Sequence, residues 1–206
     1  MNARYPRLQA IGSCLLAAVV CLSPRMACAD EPTSPAVIGA HTVGLVVGPF
    51  FPIRLVPSQS SKLFGAAAMP SWSMTLTGPI GSSWYRGQIA FGAELLAFGT
   101  SEPKTAYGIG ATPKLQYAFI GLDRLRPFIE GGGGPIWTDL GGRVPEQPGQ
   151  FNFALWSGAG CAWLFTPQWA LNTGYRFVHI SNAGVRTPNS GLNFGLPFVG
   201  LSYSFY

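Results

Sequence analysis

Charge is scarce in this 206-residue chain: Asp, Glu, Lys and Arg together make up 10% of it, against about 25% in an ordinary soluble domain. A chain this poor in charge and 48% hydrophobic does not face water on all sides. Long apolar runs are missing as well. After residue 30 no stretch supplies the ~20 consecutive apolar residues of a membrane helix, which excludes a helical membrane bundle. A closed β-barrel is the other structure that spans a bilayer, because it too satisfies its backbone polar groups internally. Metal and cofactor chemistry also lack material. There are two histidines, His41 and His179, far apart in the chain, and no cysteine cluster of zinc-site spacing. No Gly-x-Ser-x-Gly elbow and no phosphate-binding loop is present, and the four-glycine run Gly131–Gly134 lacks the strand-then-helix context of a nucleotide site. No metal or cofactor is expected.

What is there begins with a secretion signal, expected over residues 1–29. Arg4 and Arg7 form a basic start, Ala10 to Leu22 a short apolar run, and Ala27-Cys28-Ala29 a cleavage site before Asp30. The run is too short for an anchor, and Arg25-Met26 suits a lipoprotein signal at Cys28 poorly. Cleavage removes Cys14, Cys21 and Cys28, leaving Cys161 without an intrachain disulfide partner. It also removes Arg4, Arg7 and Arg25 and no acid, so the formal charge of +5 falls to +2. A nucleic-acid partner is therefore not indicated.

Residues 30–206 read as one domain. Two-residue alternation between turn signals predicts strands at 41–51, 63–77, 84–98, 105–119, 126–138, 151–165, 169–181 and 192–206. The fold class is all-β, an eight-stranded antiparallel transmembrane barrel. The second, fourth and sixth connections are short, and of the other four only 99–104 is not long. That alternation matches short periplasmic turns and longer outer loops. The chain closes on an alternating strand with terminal aromatics, Leu201 to Tyr206.

The alternation separates two faces. Tyr107, Ile109, Leu115 and Tyr117 oppose Thr112, Lys114 and Gln116; Phe91 and Leu95 oppose Arg86, Gln88 and Glu94; Trp169, Leu171, Tyr175 and Phe177 oppose Asn172 and Arg176. The large aromatic face is assigned to lipid. The small, glycine-rich and sparsely charged face suits a narrow lumen, where Glu94 is expected to pair with Arg86, Lys114 or Arg176. Gly131–Gly134 is assigned to tight backbone packing in the wall. A pore is a weak reading, because eight strands leave little open lumen.

One constellation could carry chemistry. His179 and Ser181 lie two apart on the seventh strand and so share a face, the apolar one. A polar pair on a lipid-facing stripe is costly unless it lies at the interface or performs a function. A serine hydroxyl is a weak nucleophile until a nearby base takes its proton, and histidine titrates near neutrality. The pair alone leaves two readings open: a chance pairing in the headgroup region, or a catalytic couple.

His179-Ile180-Ser181-Asn182-Ala183-Gly184, followed by Pro188-Asn189-Ser190-Gly191-Leu192, resembles the lipid A 3-O-deacylase family of outer-membrane barrels. The resemblance implies a serine esterase in the outer leaflet of the outer membrane, acting on an acyl ester of lipopolysaccharide. It implies His179 as base, Ser181 as nucleophile and Asn189 as oxyanion donor. Asn182 is a further motif residue, placed with the oxyanion or substrate-binding group, and backbone N–H groups from Asn182 to Gly184 are expected beside it. The family's glutamate on the last strand corresponds to Asn193 here. Asparagine can orient an imidazole through its side-chain oxygen, but it brings no negative charge.

That departure leaves alternatives. The enzyme works with Asn193 as orienter, it recruits another acid, or the chain is an inactive barrel that binds lipopolysaccharide. Among other acids, Glu94 and Glu130 look lumenal, and Asp139 and Glu146 reach the site only if their loop folds over the barrel mouth. His41 lies at the opposite end. The face of Asn193 is itself ambiguous. Val199, Leu201, Tyr203 and Phe205 put odd residues outward, whereas Leu192, Phe194, Leu196 and Phe198 suggest the reverse, and a bulge near Pro197 would reconcile them.

Overall fold

The computed structural model describes residues 37–53, 60–102 and 104–206; the expected signal at 1–29 lies outside them. Eight antiparallel strands close into a barrel in chain order. They are β1 (His41–Pro52), β2 (Phe64–Thr75), β3 (Gly87–Glu102), β4 (Ala106–Phe119), β5 (Leu125–Thr138), β6 (Phe151–Leu164), β7 (Trp169–Ser181) and β8 (Leu192–Phe205). Every neighbour pairs with the next, and β1 pairs with β8, His41 opposite Phe205. Closure removes the unpaired edges of an open sheet. The result is the all-β transmembrane barrel expected from the alternation.

The connections differ from expectation. Strand β3 begins at Gly87, because Ser83–Tyr85 forms a 3-10 turn that is tied back by the Ile80–Gly87 bridge. The β2–β3 connection, 76–86, is therefore long, while β3–β4 is only 103–105. At its far end β3 runs on to Glu102 through Gly99 and Ser101, whose small side chains weaken the alternation there. Below, the loop end of the barrel is the one carrying 53–63, 103–105, 139–150 and 182–191.

Outside, an apolar belt faces away from the core: Leu45, Phe91, Leu95, Ile109, Leu115, Leu155 and Leu201 all have exposed side chains. Soluble monomers rarely show a continuous apolar surface of this extent. Inside, the lumen has two layers, and the large apolar side chains of the upper one correct the expectation of a small, glycine-rich and sparsely charged face throughout. The lower layer is ionic. Arg176 donates to Glu94 through Nη1 at 2.6 Å and Nη2 at 3.0 Å, and to Glu130 through Nε at 2.8 Å. Lys114 Nζ lies 3.1 Å from Glu130 and 3.9 Å from Glu94. The guanidinium also sits 4.2 Å from the Trp156 ring centroid. Two acids and two bases thus neutralise each other where an unpaired buried charge would be prohibitive. Arg86 is exposed in the β2–β3 connection and takes no part.

The upper layer is apolar. Phe50 packs edge-on to Phe98 and Phe194, with centroids 5.5 and 5.1 Å apart, beside buried Leu96, Ile136, Ile180 and Leu196. Burying each such side chain contributes on the order of 1.5–3 kcal/mol. This layer explains the conflicting parity of β8. Leu192, Phe194, Leu196 and Phe198 are buried inward, while Val199 and Leu201 face out. Register with β7 runs unbroken from Trp169–Tyr203 to Ile180–Leu192, so no bulge occurs at Pro197. Both faces of upper β8 are apolar because one meets lipid and the other meets the plug.

Gly132 shows why the glycine run is needed. A Cβ there would lie 2.3 Å from the Pro113 carbonyl oxygen and 2.7 Å from the Trp156 indole, so the ring occupies space that any side chain would claim. Above the plug, loop 139–150 folds over the mouth, burying Leu140, Val144 and Gln147.

Candidate active site

The site is assembled where β7 and β8 reach the loop end. The ladder sets His179 directly opposite Asn193, and the alternation of β7 turns His179 and Ser181 outward between inward Val178 and Ile180. His179 Nδ1 lies 2.8 Å from Asn193 Oδ1. That oxygen only accepts hydrogen bonds, so Nδ1 is the donor of this pair. Asn193 is 5% exposed, which shields this bond from competing water. Across β6, Phe153 is the partner of Ser181 and Leu155 the partner of His179, giving the pair an apolar flank. No hydrogen bond links Ser181 Oγ to the imidazole among the described residues. The two side chains share one face of β7.

The loop after Ser181 is organised by Asn182, which is 3% exposed. Its Nδ2 donates to the carbonyls of Arg186 at 3.0 Å and Pro188 at 3.2 Å, and its Oδ1 accepts from Gly184 N–H at 3.0 Å. Both amide protons and the oxygen are thereby engaged. Asn182 holds the turn, and its side chain has no donor left for an oxyanion or substrate. Its own backbone N–H donates to Asn189 Oδ1 at 3.1 Å. The backbone donors of Asn182 and Gly184 expected at the oxyanion are therefore committed elsewhere. The Asn189 Nδ2 group donates to no acceptor among the described residues.

Two residues were given no role by sequence reasoning. Gly191 has φ +68°, and a Cβ there would come within 2.6 Å of His179 Cε1; the glycine gives the imidazole its room. Its place just before β8 was the available signal. Gln147, fully buried, donates from Nε2 to the Ile180 carbonyl at 3.2 Å, fastening loop 139–150 to the backbone between the pair. Nothing in the sequence pointed to it, since the contact joins residues 33 positions apart.

The alternative acids are all occupied. Glu94 and Glu130 lie in the ionic layer. Loop 139–150 does cover the mouth, yet Asp139 accepts from Tyr107 N–H and pairs with Arg143. Glu146 accepts from Ser60 N–H at 2.7 Å, Ser61 N–H at 2.8 Å and Ser61 Oγ at 2.6 Å. Burial pushes the Glu146 carboxyl up, but these hydrogen bonds outweigh it and hold the group below the usual carboxylate range. His41 stacks on Trp72 at the opposite end.

The sequence profile of the family described as lipid A 3-O-deacylase (PagL) matches residues 62–205. The lipid A deacylase PagL of Pseudomonas aeruginosa is 32% identical over 124 residues, 59% of this chain and 65% of that protein; the match thus spans just under two thirds of the relative's length. The crystal structure of the outer membrane enzyme PagL superposes with a TM-score of 0.53 at 23% identity, covering 79% of this chain and 98% of that one. Neisserial surface protein A superposes at 0.51 and 16% identity, covering 81% and 97%. These two likenesses show the barrel fold. Because the family profile spans most of the chain, including both strands that bear His179, Ser181 and Asn193, this protein belongs to the lipid A 3-O-deacylase (PagL) family.

Proposed function

We propose that the protein is a serine esterase of the outer membrane that removes an acyl chain from the 3-position of lipid A. The observation that carries this reading is the outward-facing couple at the loop end: an imidazole held through Nδ1 by Asn193, on the same face as the Ser181 hydroxyl. The apolar belt below it suits a barrel wall in lipid, and substrate then reaches the couple by lateral diffusion. With an even strand number and both chain ends on the turn side, the loop end is the external one, where lipopolysaccharide resides.

In this reading His179 Nε2 takes the Ser181 proton as Oγ attacks the ester carbonyl. Asn189 Nδ2 donates to the developing oxyanion. Collapse of the tetrahedral intermediate breaks the ester C–O bond, and the imidazolium returns its proton to the departing sugar oxygen. Water, deprotonated by His179, then attacks the acyl-serine, releasing the fatty acid and restoring the hydroxyl. Asn193 orients the ring throughout and fixes the tautomer that leaves Nε2 free. Expression in a lipopolysaccharide-producing cell, followed by lipid A mass spectrometry, tests the proposal. Loss of one acyl chain with the native protein and none with Ser181→Ala is expected; the same loss in both rejects the serine mechanism.

A further inference from the structure

An open groove, about 1190 Å³ with its solvent-open mouth included, runs between loops 139–150 and 182–191 and reaches Asn182, the residue after Ser181. Trp137, Phe151, Val185 and Gly149 line it together with Asn182 and Arg186. No carboxylate lines it. The two acids of loop 139–150 are engaged elsewhere, Asp139 with Arg143 and Glu146 with Ser60 and Ser61. Arg186 is exposed, and its guanidinium makes no ion pair among the described residues. Its side chain lies along the Gly149 backbone: a Cβ on that glycine would sit 3.4 Å from Arg186 Cδ and 3.6 Å from Nη1. The root of the arginine is fixed too, because its carbonyl accepts from Asn182 Nδ2 at 3.0 Å. The backbone anchor thus sets the arginine shortly after the nucleophile in the chain, and its side chain lines a groove that no carboxylate lines.

We infer that Arg186 anchors a phosphate monoester of the glycolipid headgroup while the ester lies at Ser181, an assignment that rests on the esterase reading above. The direction follows from amphiphilicity. Phe153 and Leu155, paired with Ser181 and His179, continue the lipid-facing wall and take the acyl chains, so the polar headgroup is directed over the rim, where the groove opens. A guanidinium presents paired N–H donors that match two phosphate oxygens.

The test measures binding to a Ser181→Ala protein that cannot turn over. Neutral phosphatidylcholine vesicles carry either phosphorylated lipid A or the same lipid A with its phosphates removed, and intrinsic tryptophan fluorescence reports the two dissociation constants. A charge-assisted contact predicts a preference of roughly tenfold for the phosphorylated lipid. Arg186→Gln collapses that ratio toward one, and Arg186→Lys keeps part of it. An unchanged ratio in Arg186→Gln, including equal weakening toward both lipids, overturns the inference, as does no preference in the parent. Millimolar inorganic phosphate that erases the preference assigns the site to a free anion and overturns the headgroup. Fatty-acid release by the protein with Ser181 intact is followed in parallel. No release with an Arg186-dependent preference rejects the esterase reading alone; release without preference rejects the headgroup site alone.

Discussion

Replacing Asn193 by aspartate adds a charge with almost no change of shape, at an atom 2.8 Å from His179 Nδ1. In the proposed mechanism the ring becomes an imidazolium in each transition state. Opposite unit charges about 4 Å apart at an effective dielectric of ~20 attract by ~4 kcal/mol. Desolvating a carboxylate at a site only 5% exposed removes part of that gain. A net gain of about 1.4–2.8 kcal/mol corresponds to a rise in kcat of roughly tenfold to a hundredfold. The larger factor of about 10⁴ known for acid-to-amide exchange in a serine protease triad arises mainly from a wrong tautomer. Here the amide oxygen already faces the ring, so that share is absent. Asn193→Leu removes the acceptor and lowers kcat by about tenfold or more, the worth of one neutral hydrogen bond plus loss of tautomer control. The assay is fatty-acid release from lipid A in mixed micelles across a pH series. The added carboxylate favours the imidazolium, so the acid limb of the profile moves to higher pH in Asn193→Asp. Wild-type turnover in Asn193→Leu, or an aspartate variant with unchanged rate and unchanged acid limb, would refute the assignment of Asn193 as the ring's orienter.

Gly191→Ala forces a Cβ to 2.6 Å from the imidazole in a left-handed backbone position; a kcat loss exceeding tenfold is expected, with the folded barrel retained on semi-native electrophoresis, and near-native turnover would show that the ring has slack. Arg176→Met leaves Glu94 and Glu130 with Lys114 alone, so the urea unfolding midpoint falls by the equivalent of about 3–5 kcal/mol, and Glu94→Gln added to it restores part of the loss. Glu146 is held below the usual carboxylate range, so its hold on Ser60 and Ser61 is complete above about pH 4.3 and is lost as pH falls through its lowered value. Protease access to loop 139–150 should rise through that acid window in the native chain, and be raised already at neutral pH, without the acid step, in Glu146→Gln.

The alternation of β4 and β7 was legible because lipid and lumen select opposite residue types at every second position. Ile109 and Leu115 against Thr112 and Lys114 define a face without any coordinates. Upper β8 was not legible, because Phe194 inside and Val199 outside both meet apolar surroundings, so hydropathy there carries no sign. Only closure of the ladder, with His179 opposite Asn193, decided which face holds the asparagine.

Local order along the chain was sufficient to determine the strand count, the outward stripe and the spacing of His179 and Ser181, since period-two geometry is a property of each strand alone. Tertiary structure decided the rest. It set the imidazole against Asn193, gave Asn182 to the turn, paired Glu94 and Glu130 with Arg176 and Lys114, and laid loop 139–150 over the mouth. Those contacts join residues distant in sequence, and their partners are selected by the barrel's closed register.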